Sequence, residues 1–238
     1  MRSFHVKEFA CRSLALMFYL CAAHQALAQT PKSKYPAMEP VDRYLIPDQQ
    51  AEIALARSAA PASISSRAEI MVLEKNGYST AVKGSNGFLC LVERSWGAGT
   101  EDADFWNPKV RSPVCFNSAA AKTYVPRYAM KTRLLLAGRS KQETVKTIMA
   151  ALDSSQLPAL ESGAMCYMMS KQQYLNDPGK AWHPHLMFFV SGDAAKDWGA
   201  DFPGSPIMAA KDPEEKLTIL MVWVSHWSDG TSGPPMTD

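Results

Sequence analysis

The alternation of apolar and polar residues predicts a β-hairpin around residue 76. Residues 70–73 and 78–82 are strand-like runs, and they flank the dipeptide Asn76-Gly77. This dipeptide readily adopts the positive φ angles of a tight hairpin turn. A third apolar run, residues 88–93, follows a Gly- and Ser-rich turn. The three runs are therefore predicted to form an antiparallel meander.

Helical patterns lie on both sides of these strands. Asp48 is placed to cap a short amphipathic helix. Residues 117–153 have the composition and spacing of two helices, and Pro126 must interrupt the first of them. Ser140 and Glu143 form the capping-box pattern at the start of the second helix.

Three apolar runs return after the helices, at residues 165–169, 186–190 and 217–224. Parallel α/β folds alternate strands and helices, whereas here strands and helices are grouped. We therefore expect an α+β fold with a mostly antiparallel sheet of about six strands. Three strands are N-terminal and three are C-terminal, with the helices inserted between the two strand groups.

The first 28 residues have the pattern of a cleavable signal peptide. Basic residues precede an apolar core, and Ala-Leu-Ala at residues 26–28 forms a cleavage site. The core of about 11 residues is shorter than the roughly 20 needed to span a membrane. The sequence thus predicts export to the periplasm or the extracellular space, with no membrane span after cleavage.

The remaining chain is predicted to form one domain. Residues 29–47 contain four prolines and no apolar period, so they are expected to be an extended lead-in. Residues 48–227 are expected to form a single globular α+β domain, because no Gly-rich or acidic tract divides them. Residues 228–238 are polar and are expected to be a flexible tail.

Removal of the predicted signal neutralises the chain. The full sequence has 25 Lys and Arg against 23 Asp and Glu, but the signal contains Arg2, Lys7, Arg12 and Glu8, which leaves 22 of each. A neutral chain lacks the electrostatic footprint of a nucleic-acid-binding protein. We expect no nucleic-acid partner, and a small molecule or an envelope protein as the partner.

Three cysteines follow the signal, and an oxidising compartment allows one disulfide among them. Cys90 and Cys115 are the predicted pair, because both lie in strand-like runs joined by a polar loop. Cys166 would then be a free, buried thiol. Pairing of Cys115 with Cys166, or three reduced cysteines, remain alternatives because connectivity cannot be read from sequence.

Histidines supply the main candidate site. His183 and His185 are two residues apart in an extended run, so their rings are expected on one side, and His226 follows the last apolar run. Three imidazoles and a water suit an open zinc site, and nearby methionines make copper an alternative. Packing of the rings among aromatic residues is the competing interpretation. The pocket aromatic residues are Trp182, Trp223 and Trp227.

Other catalytic patterns are weak. Ser225, His226 and Asp229 are the residue types of a hydrolase triad, but a triad is defined by spatial geometry. The acidic loop at residues 101–104 is expected to be an ordinary packed loop, with sugar or peptide binding as its alternative.

No motif specifies an activity, and the sequence leaves open whether the protein is an enzyme. We expect it to bind a small ligand, a metal or an envelope partner. The first alternative is a metal-dependent hydrolase that uses His183, His185 and His226. The second is a structural or interaction protein of the envelope.

Overall fold

The computed structural model describes residues 34–179 and 181–235, which form a large β-sheet flanked by helices. The predicted signal peptide lies outside these residues. Within the described part of the chain, no helix is both long and apolar enough to cross a membrane.

The α+β class, with helices between the strands of a mostly antiparallel sheet, is confirmed. The strands are β1 (Glu69–Glu74), β2 (Gly77–Val82), β3 (Leu89–Glu93), β4 (Ser112–Phe116), β5 (Met165–Met168), β6 (His185–Ser191), β7 (Ile207–Asp212) and β8 (Leu217–Trp223). The helices are α1 (Gln49–Arg57), α2 (Ala62–Ser65), α3 (Ser118–Thr123), α4 (Val125–Leu136) and α5 (Lys141–Asp153), with 3-10 turns at Val41–Arg43 and Ser95–Gly97. The sheet order is β2-β1-β3-β4-β5-β6-β8-β7.

The expected count of about six strands is wrong, since the described residues form eight. The two additional strands are β4 and β7. β4 contains the strand-like run around Cys115, which was not counted among the six strands, and all five of its residues are buried, so it shows no apolar–polar alternation. β7 is an edge strand of mixed composition, and its structure comes from pairing with β8.

The predicted hairpin is confirmed, but the meander is not. β1 and β2 pair antiparallel around Asn76-Gly77, whereas β3 joins the opposite side of β1 and runs parallel to it. The connection from β2 must therefore cross back over the start of β1. A Cβ atom on Gly84 would lie 2.2 Å from the backbone nitrogen of Glu69, so only glycine permits this close crossing.

The predicted helix boundaries are largely confirmed. The Asp48 side chain accepts a hydrogen bond from the Gln50 backbone N–H at the start of α1. Ser140 and Glu143 form the complete capping box of α5. The first predicted helix is two helices, because the chain breaks at Tyr124 and Pro126 lies in the first turn of α4.

The two faces of β3 belong to separate hydrophobic clusters. Cys90 and Val92 pack with α1 residues such as Ile53, whereas Leu91 packs in the larger cluster with Tyr124 and other residues of the α3–α4 region. Successive residues of a strand point to opposite faces, so the next residues, Glu93 and Arg94, are directed to different sides of the sheet.

The predicted disulfide is confirmed. Cys90 and Cys115 lie directly opposite each other in β3 and β4, and they are joined by a disulfide. Of the cysteines in the described residues, Cys166 is the free one, and it is fully buried in β5. Burial raises the pKa of its thiol well above the usual range.

The described parts of the two segments that flank the predicted domain, residues 34–47 and 228–235, are attached to it. In the predicted lead-in, Tyr44 is fully buried and its hydroxyl donates a hydrogen bond to the Trp106 carbonyl over 2.8 Å. In the predicted tail, the Ser228 hydroxyl donates to the Ser58 carbonyl over 2.6 Å. These segments have little regular structure, but their side chains are part of the packed fold.

Candidate ligand-binding cavity

His183 and His185 are held among aromatic rings. His185 is buried at the start of β6, and its Nδ1 lies 2.7 Å from the His183 carbonyl oxygen. The His183 ring stacks on Trp223, with ring centroids 4.6 Å apart. Trp182 contacts His185 edge-on. Burial lowers the pKa of His185, which favours its neutral form.

His226 has different neighbours. It is exposed, and its Nδ1 lies 2.8 Å from the Ser225 hydroxyl. Asp229, the third residue of the weak triad pattern, accepts from the Thr231 hydroxyl over 2.6 Å and pairs with Lys171 at 3.0 Å. Trp227 is buried, and its backbone N–H donates to Thr231.

No metal-binding cluster is found in the described part of the chain. Among residues 34–179 and 181–235, no group of three or more His, Cys, Asp or Glu side chains is arranged to hold a metal ion. The structure therefore brings His183 and His185 together with Trp182 and Trp223, and the arrangement it describes is aromatic packing.

A different site lies where β3 ends. A cavity of about 270 Å³ is enclosed by the turn after β3, the start of α4 and the central strands. Its wall is largely apolar, with polar groups from β3 and the following turn. The residues that line the cavity include Glu93, Ser95, Tyr124, Met168, Met187 and Ile219.

Glu93 is the most unusual group of this cavity. It is the last residue of β3, it lies opposite Ser112 of β4, and only 7% of its surface is exposed. Its Oε1 is buried without a hydrogen-bond partner among the described residues. Burial raises the pKa of the Glu93 carboxyl to about 8, against an opposing effect of Lys131. Glu93 is therefore largely protonated at neutral pH.

The turn above Glu93 fits closely over the carboxyl group. A Cβ atom on Gly97 would lie 2.9 Å from Glu93 Oε2, so the absence of a side chain at this position allows the approach. Ser95 in the same turn is 3% exposed, and its Oγ is likewise buried with no hydrogen-bond partner in the described chain. Two buried polar groups thus line one small cavity without a partner.

The rest of the turn is firmly bonded. The indole N–H of Trp96 donates to the Thr132 hydroxyl of α4 over 2.9 Å, and Trp96 is fully buried. The backbone N–H of Arg94 donates to the Tyr128 hydroxyl over 2.8 Å. These bonds fix Ser95 between two anchored neighbours, so the position of its hydroxyl is set by the fold.

A second buried carboxyl lies near Glu93. Glu215, in the turn before β8, pairs with Lys131 of α4 at 3.6 Å, and both residues are buried. Burial raises the pKa of Glu215, while Lys131 opposes the shift. Of these two buried carboxyl groups, Glu215 is ion-paired with Lys131, although its Oε2 has no hydrogen-bond partner in the described part of the fold, and Glu93 forms no ion pair there.

Sequence reasoning did not select Glu93 or Ser95. A glutamate at a strand end usually meets solvent, and the adjacent serine belongs to no catalytic motif. The sequence feature that could have indicated this site is Trp96, beside Ser95. Burial of its large indole ring places the neighbouring residues of the turn inside the fold. Trp96 and Trp106, which flank the acidic loop, are both buried, whereas Glu101 and Asp102 within it are exposed.

Comparison of the chain with protein-family models, with curated proteins and with solved structures finds no match.

Proposed function

We propose that this protein is exported and binds a small, largely apolar molecule in the cavity lined by Glu93. The observation that carries the proposal is the pair of buried polar atoms, Glu93 Oε1 and Ser95 Oγ, that lack partners among the described residues. Buried polar groups are nearly always hydrogen-bonded, so unpartnered ones at a cavity wall are suited to a ligand.

The shape of the cavity supports a ligand of modest size. Its volume of about 270 Å³ lies just below the range of about 300 to 1,000 Å³ that is typical of sites for drug-sized molecules. An apolar wall with a few fixed polar groups is the usual composition of such sites. The apolar part of the ligand would lie against Met168, Met187 and Ile219.

Export is supported by two independent features. Residues 1–28 have the sequence pattern of a signal peptide. The Cys90–Cys115 disulfide is a cross-link that forms and persists mainly in oxidising compartments. N-terminal sequencing of protein from the exported fraction tests this part, and a mature chain that begins at Gln29 is expected.

Ligand binding is tested with three probes of similar length: 1-pentanol, pentylamine and pentanoate. Each is titrated into the purified mature protein by calorimetry, and thermal unfolding is followed in parallel. At least one probe is expected to bind and to raise the melting temperature, with a rise that grows with the logarithm of the ligand concentration above the dissociation constant. Failure of all three probes to bind at about 10 mM would contradict the proposal, because the cavity matches their size and polarity.

A variant that fills the cavity locates the binding. Ile219 lines the cavity, and Met221 lies two positions further along β8 on the same face but does not. Ile219→Phe is expected to weaken binding about tenfold or more, since small cavities tolerate added volume poorly. Met221→Phe is the matched control and should bind within about twofold of wild type. Equal binding by the two variants would place the ligand elsewhere.

The alternative functions stay predictions. A metal-dependent hydrolase would rest on His183, His185 and His226, and it predicts bound metal after loading with zinc or copper. An envelope structural protein predicts neither metal nor ligand. Metal analysis of the loaded, dialysed protein separates the first alternative from the other two.

A further inference from the structure

The charges that line the cavity favour a cationic ligand. Its ionisable residues are Glu93, Asp102, Asp104 and Arg94, so carboxyl groups outnumber basic groups. The one guanidinium is already engaged, because Arg94 Nη2 donates to Glu52 Oε1 over 2.8 Å and its Nε donates to the Tyr44 carbonyl. An anionic ligand would meet uncompensated negative charge at this site.

No nearby cation among the described residues forms an ion pair with Glu93, although the charge of Lys131 opposes the rise in the pKa of Glu93. Lys131 is paired with Glu215. The buried Arg127 guanidinium donates to the backbone carbonyls of Thr123, Glu215 and Pro158. Within the described residues Glu93 therefore forms no ion pair, and a ligand is the remaining source of a positive charge for it. Asp102 is exposed and Asp104 is half-buried at the cavity, and their negative charges would attract such a ligand.

We propose that the cavity binds the primary ammonium group of a small alkylamine. The Glu93 carboxylate and the Ser95 Oγ each accept an N–H hydrogen bond, and the alkyl chain lies against Met168 and Met187. This inference rests on the proposed function and specifies its ligand class. At neutral pH the O–H bond of the Glu93 carboxyl breaks as the ammonium ion enters, its proton is taken up by water or buffer, and the alkylamine itself is chemically unchanged.

The pH dependence of this binding is governed by Glu93. Its electrostatic neighbours on the packed elements are Tyr78 of β2, Tyr124 and Tyr128 at α4, Cys166 of β5, Lys131 of α4 and Glu215 before β8. Burial raises the pKa of the three tyrosines and of Cys166 above their usual values, so these groups stay neutral from pH 6 to 9. Glu215 remains next to Lys131, Asp102 is exposed at the rim of the cavity, and Asp104 is half-buried there.

The test compares pentylamine with 1-pentanol on the intact mature protein. Calorimetry at pH 7 in phosphate and in Tris measures proton release, because these buffers differ in ionisation enthalpy. Pentylamine is expected to release close to one proton, and 1-pentanol none. Because only the ionised fraction of Glu93 is competent, pentylamine affinity should rise by about 100-fold from pH 6 to pH 9, while 1-pentanol affinity should not rise.

Two glutamate variants identify the titrating group. Glu93→Gln should abolish proton release and lower pentylamine affinity at pH 9 by at least about 30-fold. Its affinity for 1-pentanol should stay within about threefold of the wild-type value. Glu74→Gln is the matched control, because Glu74 also ends a strand but is exposed, and it should behave as wild type. If Glu93→Gln does not fold, proton release by the wild-type protein still decides the question.

The outcomes separate the two proposals. Equal binding of pentylamine and 1-pentanol without proton release, or preferential binding of pentanoate, would overturn the alkylamine inference and leave ligand binding in place. Proton release that persists in folded Glu93→Gln would also overturn the inference. Failure of every probe to bind would remove the proposed function as well.

Discussion

Glu93 and Arg94 are an acid and a base that are adjacent in sequence and both buried, yet their surroundings differ. Arg94 lies on the α1 side of β3, where it binds the Glu52 carboxylate and the carbonyls of Tyr44 and Val92. Glu93 lies on the other side, with an oxygen that has no partner among the described residues. One strand end thus carries a completed ion pair and an unpaired acid.

This difference separates a structural group from a candidate functional one. A buried charge with a full set of partners holds its neighbours in place, and Glu52 extends that set because its Oε1 also accepts from the Leu73 backbone N–H. A buried acid without partners destabilises the folded state, so the stability of the fold does not explain its presence. Binding of a ligand by this acid would explain it. The following substitutions test the two sides of β3 separately.

The largest effect is expected at Arg94. Arg94→Met would leave the Glu52 carboxylate buried without its cation, and loss of one partner of a buried pair costs about 4 kcal/mol of unfolding free energy. Urea denaturation at pH 7 measures this loss. Lys75→Met is the control, because Lys75 pairs with Asp42 at the exposed surface and should change stability little. A loss below about 1 kcal/mol for Arg94→Met would refute the structural role.

Glu93→Gln should affect stability in a pH-dependent manner. In the folded protein Glu93 keeps its proton to about pH 8, whereas in the unfolded chain the pKa is near 4.5. The unfolded state therefore binds fewer protons in this window, and wild-type stability falls as pH rises from 5 to 8. Relative to Glu93→Gln, the wild-type protein should lose about 3 kcal/mol over this range, since one pKa unit corresponds to about 1.4 kcal/mol.

Urea denaturation of both proteins at pH 5, 6, 7 and 8 measures this difference. Most other titrating groups are common to the two proteins and cancel. Parallel stability profiles would show that Glu93 ionises normally in the folded state, which would end the contrast with Arg94.

A smaller effect is expected at Thr132, which anchors the turn through Trp96. Thr132→Val keeps the side-chain shape but leaves the buried indole N–H of Trp96 without its acceptor, at a cost of about 2 kcal/mol. Thermal unfolding should show a lower melting temperature. Thr147→Val is the control, because Thr147 is an exposed threonine of α5 that bonds only to its own helix.

The smallest stability effect is expected at Ser95, next to Trp96. Its Oγ has no partner in the described chain, so Ser95→Ala should change the unfolding free energy by less than about 0.5 kcal/mol. Pentylamine affinity should nevertheless fall about tenfold, since hydrogen bonds to charged groups are stronger than neutral ones. A loss of stability comparable to that of Thr132→Val would mean that Ser95 is part of the scaffold.

The parts of the fold that were predicted correctly depend on local chemistry. Asn76-Gly77 favours a tight turn by its own backbone preferences. The capping box of Ser140 and Glu143 forms within one helical turn. Cys90 and Cys115 lie in strands that pair directly with each other. The parallel pairing of β3 with β1 was missed, because it depends on a close crossing at Gly84 that local patterns do not encode.

The candidate site was missed for the same physical reason. Glu93 is buried by groups distant in sequence, including α4 and the turn that contains Glu215, and Trp96 is the nearby residue that could have indicated that burial. The histidines were selected by spacing, but His183 and His185 pack with tryptophan rings while His226 lies exposed beside Ser225.

The most direct test of the account is the pKa of Glu93 itself. Carbon-13 NMR of the side-chain carboxyl, assigned with Glu93→Gln, follows its ionisation in the free protein and with saturating pentylamine. The account predicts a pKa near 8 in the free protein and at least about two units lower in the complex, because the ammonium ion stabilises the carboxylate. An ordinary value near 4.5 in the free protein, unchanged by pentylamine, would contradict it.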